Sequence, residues 1–137
     1  MNSGNIDGFL MHFDRNGNLA WLRQFGHDGA VFGYAVAVDP DGRVLVGGWS
    51  NLDLTAADAT AGPWRAFVRT FGPAGEGASV RQFGTSDGEK PVSLALARGG
   101  DVCVATSGTM ASAGSTGGPY PTASSNDALL VRFPPMR

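Results

Sequence analysis

With 137 residues, a formal net charge of −2 and a pI near 5.5, the chain has the length of one domain and offers no basic surface for nucleic acid. Only 16% of its residues are charged while 21 are glycine, a balance that suits many tight turns joining short strands. No apolar run approaches the length of a membrane span, and the first twenty residues hold Asp7, His12, Asp14 and Arg15, which a signal peptide would not.

Taken in chain order, residues 7–26 predict two strands joined by an Asn16-Gly17 turn. Residues 33–39 predict a strand A, Pro40-Asp41-Gly42 a turn and residues 43–49 a strand B. After a polar connection come strand C, residues 65–71, the turn Gly72-Pro73-Ala74-Gly75, and strand D, residues 78–83. Three more strands follow in residues 92–133, giving nine and no helix. Strand A reads Ala35-Val36-Ala37-Val38, small or apolar on both sides, which predicts burial of both faces. Strand C alternates more clearly, with Phe9, Met11 and Phe13 on one face and Phe67, Arg69 and Phe71 on the matching one.

The order repeats. Residues 9–51 and 67–109 align without a gap, with 12 of 43 pairs identical, among them Phe9/Phe67, Phe13/Phe71, Gly17/Gly75, Gly42/Gly100 and Val44/Val102. Both copies contain the block Arg-Gln-Phe-Gly, as residues 23–26 and 81–84, and Asp127-Ala128-Leu129-Leu130-Val131-Arg132-Phe133 begins a third. Repetition of one supersecondary unit, with a gradient from an apolar first strand to mixed outer ones, predicts an all-β fold: a partial β-propeller of four-stranded antiparallel blades, about two blades plus extra strands. The single segment 1–137 divides into a half-blade at 7–26, a full blade at 33–84 and an incomplete blade at 92–133.

The run Asp7–Trp21, with its Phe-Asp-X-X-Gly-Asn-Leu-X-Trp core, followed by Gly33–Gly48, resembles the SBBP β-propeller repeats of bacterial proteins. Pro119-Tyr120-Pro121-Thr122 resembles the aromatic-Pro-Thr element that these repeats place between strands B and C. The second copy departs from the pattern, with Ser79 for Trp21 and Arg98-Gly99-Gly100 for Pro40-Asp41-Gly42. The resemblance implies a propeller, frequently within large surface or secreted bacterial proteins, and no set of catalytic residues. Asp7–Gly26 also bears a weaker likeness to the repeats of quinone-dependent propeller dehydrogenases, which makes a fragment of such an enzyme the alternative.

Nine strands do not complete a ring of four-stranded blades. An open blade face presents about 300 Å², worth up to about 8 kcal/mol when covered, against about 5–15 kcal/mol for a whole domain. The sequence therefore predicts a piece of a larger propeller, a ring of several copies, or collapse into a smaller closed sheet.

Candidate sites are few. Asp14-Arg15-Asn16-Gly17-Asn18 and Asp39-Pro40-Asp41-Gly42 look superficially like calcium loops, but Gly stands fourth rather than sixth, and hairpin turns explain them. His12, His27 and Cys103 have no suitable neighbours for zinc, and Cys103 lies in an apolar strand. There is no Gly-X-Ser-X-Gly elbow and no P-loop, so neither a catalytic set nor a cofactor is expected. Trp21 fits a packing position in the repeat. Trp49 and Trp64 stand at strand ends beside loops, where aromatic rings stack on a sugar or anchor a protein. The expected role is a non-enzymatic scaffold or interaction module, with a protein or glycan as partner, further propeller blades around it, and loops 50–63 and 107–126 carrying recognition.

Overall fold

A computed structural model describes residues 6–56, 61–83, 90–108 and 127–136. Nine strands are present among them: β1 (Gly8–Phe13), β2 (Leu19–Phe25), β3 (Val31–Val38), β4 (Val44–Ser50), β5 (Arg65–Phe71), β6 (Gly77–Phe83), β7 (Lys90–Leu96), β8 (Val102–Gly108) and β9 (Asp127–Phe133). They form three antiparallel sheets, β1-β2, β3-β4-β5-β6 and β7-β8-β9. The chain is all-β, and the sheets stack rather than close into a barrel. That removes the third expectation, collapse into a smaller closed sheet.

The repeat extends to the irregularities. The β1–β2 ladder slips between His12 and Phe13, and the β5–β6 ladder slips between Arg69 and Phe71, the same place 58 residues later. The β3–β4 ladder slips between Gly33 and Ala35, and the β7–β8 ladder between Pro91 and Ser93, again 58 apart. A bulge re-aims the strand that carries it, so copying the bulges copies the twist of each sheet. The hairpin turns match too: Gly17, Gly42, Gly75 and Gly100 all hold φ between +79° and +87°.

Two cores lie between the sheets. Phe25 of the first sheet packs with Val31, Val46, Leu52, Phe67 and Phe71 of the central one and its loop. Leu45 and Val68, on the opposite face of the central sheet, pack with Val102, Val104 and Met136. Alternation along β4 and β5 feeds both cores at once, and nearly every residue of these two strands is buried.

The expected burial gradient is corrected here. β3 is not buried on both faces: Val36 and Val38 are exposed, and Ala35 and Ala37 are half-buried. Val36 and Val38 share a face with Val46 and Val44, toward the first sheet. That sheet has two strands, and its Phe25 packs on Val31, Val46, Phe67 and Phe71 while Val36 and Val38 stay uncovered. The small residues of β3 serve its other face, where β7 lies alongside and a β-carbon on Gly47 would sit only 3.2 Å from Leu94.

The shared Arg-Gln-Phe block joins neighbouring sheets. Arg23 donates from Nε to the carbonyl of Gly75 and from a terminal nitrogen to that of Ala74, both in the β5–β6 turn of the next sheet. Phe25 meets Phe71 at 5.7 Å and Phe67 edge-on at 6.2 Å. One repeat later, Arg81 lies over the ring of Phe133, and Phe83 meets Phe133 at 5.0 Å. Pro135 stands against Gly100 as Pro73 stands against Gly42, so the third copy keeps the same frame through its last described residues.

Candidate functional site

Trp49 and Trp64, 15 positions apart across a loop, come together with ring centroids 4.2 Å apart. Phe32 completes the group at 5.5 Å from Trp49 and 5.9 Å from Trp64, and Tyr34 extends it at 6.3 Å from Phe32. The Trp49 Nε1–H donates to the Tyr34 hydroxyl at 2.9 Å. Phe32, Trp49 and Trp64 are half-buried and Tyr34 is exposed, so the cluster shows ring surface at the end of the central sheet that carries the 51–64 connection.

The local backbone explains the gathering. Phe32 and Trp49 are direct cross-strand partners, and the slip between Gly33 and Ala35 leaves Tyr34 opposite no residue of β4. Gly48 is required beside them: a β-carbon there would lie 1.9 Å from the Phe32 carbonyl oxygen and 2.8 Å from the Phe67 ring. The beginning of the connection is tied down beneath the rings. Ser50 Oγ donates to the Ala30 carbonyl and accepts from the Leu52 N–H, while Gln82 accepts from the Leu54 N–H and donates to the Leu52 carbonyl. Leu52 is buried in the first core.

Sequence reasoning singled out Trp49 and Trp64 but not Phe32 or Tyr34. Cross-strand pairing of strands A and B would have placed Phe32 beside Trp49. The signal in the chain is that all four are unrepeated: Lys90, Val92, Ser107 and Asn126 occupy the positions of Phe32, Tyr34, Trp49 and Trp64 in the next copy.

The remaining candidates fall elsewhere. Trp21 is buried between sheets, donates from Nε1 to the Pro73 carbonyl at 3.0 Å, and lies against Gly75, where a β-carbon would sit 2.7 Å from the indole. His12 is exposed on β1, with its ring 5.2 Å from Trp21, and His27 is half-buried in the loop after β2. Cys103 is a half-buried free thiol on β8, on the face turned away from the central sheet. Residues 57–60 and 109–126, including Pro119-Tyr120-Pro121-Thr122, lie outside the described residues.

The two Asp-rich segments are turns closed by their own carboxylates. Asp14 accepts from the backbone N–H groups of Asn16 and Asn18 and from the Asn18 side chain. The Asn18 bonds, backbone first, hold its carboxyl below the usual 3.8. Asp39 accepts from the Asp41 and Arg43 N–H groups and pairs with the Arg43 guanidinium. Burial alone would raise the Asp39 carboxyl, but the bonds from Arg43 outweigh it and the net shift is downward. Arg69 differs: it is half-buried over the rings of Phe25 and Phe71, and burial pushes its guanidinium down from its ordinary value.

Comparison with known families bears on one stretch. Residues 20–54 match the model of the SBBP β-propeller repeat. That stretch is similar to an SBBP propeller repeat. The matched SBBP stretch begins in β2, runs through β3 and β4, and ends at Leu54, so it joins the outer strand of one sheet to the first two strands of the next. An SBBP repeat in that phase implies further blades. No curated protein matches the chain. Among the described residues, no helix is long and apolar enough to cross a membrane.

Proposed function

We propose that this SBBP segment is a non-enzymatic interaction module within a larger surface or secreted bacterial protein, and that the Phe32–Tyr34–Trp49–Trp64 cluster is its contact surface. The observation that carries the reading is the cluster itself. Four aromatic rings are drawn to one end of one sheet, are absent from the next copy of the repeat, and leave Tyr34 exposed. Arg23/Arg81 and Phe25/Phe83, which join sheets, recur in both copies, whereas these four rings do not. Phe32, Trp49 and Trp64 keep part of their ring surface exposed and Tyr34 most of it, which offers them to a partner. Trp and Tyr combine a large apolar face with a polar edge, which suits them to anchor a protein or stack on a sugar ring.

The partner is a glycan or a protein. An array of cello-, chito- and xylo-oligosaccharides tests the first, and Tyr34→Ala and Trp64→Ala identify the surface. Binding that falls at least tenfold in both variants, with unfolding midpoints still measurable, supports the reading. Binding that is equal in wild type and both variants overturns it for glycans.

A further inference from the structure

We propose, resting on the reading of the aromatic cluster as the contact surface, that its occupant is a proline-rich segment of a partner protein in the polyproline II conformation. The hydrogen-bonding groups around the rings select this partner over a sugar.

The side-chain acceptors on and against the connection after Trp49 serve the chain itself. Asn51 Oδ1 accepts from the Ala30 N–H at 2.7 Å, Ser50 Oγ from the Leu52 N–H, and Gln82 Oε1 from the Leu54 N–H. Asp53 Oδ1 accepts from both the N–H and the hydroxyl of Thr55. Two donors are left over. Tyr34 accepts from the Trp49 indole and so keeps its own O–H for a partner. The Trp64 Nε1–H has no acceptor among the described residues and is open to solvent.

A surface of ring faces and donors fits a ligand of apolar rings and acceptors. Proline supplies both: it has no N–H to donate, its carbonyl accepts, and its pyrrolidine ring docks against aromatic walls. A polyproline II helix uses none of its carbonyls internally, so they are available to Tyr34 and Trp64. It is also stiff before it binds, which lowers the cost of ordering it. A sugar differs at this point. Its hydroxyls donate as well as accept, and this surface has committed its side-chain acceptors elsewhere.

Titration of the full chain with decaproline, followed through the indole N–H signals in nitrogen–proton correlation spectra, tests the assignment. Trp21, whose N–H is bonded to the Pro73 carbonyl between the sheets, reports the fold. Decaproline is expected to move the Trp64 signal and leave that of Trp21 in place. Trp64→Phe and Tyr34→Phe keep a ring and delete a donor, and each is expected to weaken binding about threefold or more. Binding unchanged in both phenylalanine variants, or no tighter than that of an equally long Gly-Ser peptide, overturns the proline assignment. A glycan whose binding is abolished by Tyr34→Ala and Trp64→Ala, with decaproline inert, also overturns it and leaves the contact surface standing. Decaproline that binds equally to wild type, Tyr34→Ala and Trp64→Ala overturns both.

Discussion

Phe9 and Phe67 hold the same position in successive copies of one repeat, yet Phe67 is fully buried and Phe9 is 65% exposed. The difference lies in what stands opposite. Phe67 meets Phe25 of the preceding sheet, and nothing among the described residues stands over Phe9. Phe67→Ala is expected to cost about 3–5 kcal/mol, whereas Phe9→Ala changes stability by no more than about 0.5 kcal/mol. Urea unfolding of the two variants checks the contrast.

A second pair of equivalent residues separates backbone strain from packing. Gly17 and Gly75 share a positive φ, and alanine at either pays the left-handed backbone cost of roughly 1–2 kcal/mol. At Gly75 the added carbon also drives into Trp21, which adds about 1–3 kcal/mol for overpacking. Gly75→Ala is therefore expected to be the more destabilising and to shift Trp21 emission toward that of an exposed indole. Equal losses at the two positions would count against the packing of Trp21 on this turn.

Much of this architecture was legible in the chain because turns carry chemistry. Asp14, Asp39, Gly17, Gly42 and Gly75 mark hairpins by side-chain capping and positive φ, and these are local properties. Burial was harder to read. The Ala-Val-Ala-Val run of β3 looks like a doubly buried strand, but whether Val36 and Val38 are covered depends on how many strands the neighbouring sheet has. The aromatic cluster was half legible: Trp49 and Trp64 stood out by type, while Phe32 and Tyr34 join them through a cross-strand register and a bulge that composition does not reveal. Contacts such as Trp21 to Pro73, 52 residues apart, lie beyond any local pattern.

The capped turns predict an acid response. Asp14 and Asp39 have carboxyls held below the usual 3.8, so their contribution to stability is complete above that value and is lost as pH falls through the lowered ones. Amide exchange at Asn18 and Arg43 is expected to be independent of these carboxyls from pH 5 to 8, after correction for intrinsic rates. Protection there should be lost only as pH falls below 3.8 and through the lowered values. Asp39→Asn should remove the acid step at Arg43 and leave that at Asn18.

Within the cluster, the Trp49–Tyr34 hydrogen bond orders the rings. Tyr34→Phe keeps the aromatic surface and removes the acceptor. A loss of about 0.5–1.5 kcal/mol in stability and a change in near-ultraviolet circular dichroism from Trp49 are expected. An unchanged spectrum would mean that the indole orientation does not depend on Tyr34.

The sheets are joined by their repeated aromatic residues, and Phe25 with Phe71 is the pair that tests this most directly. They belong to different sheets and lie 5.7 Å apart. A double-mutant cycle with Phe25→Leu and Phe71→Leu, measured by urea unfolding, should return a coupling of about 0.5–1.5 kcal/mol. Strictly additive losses would contradict the stacking of the first sheet on the second.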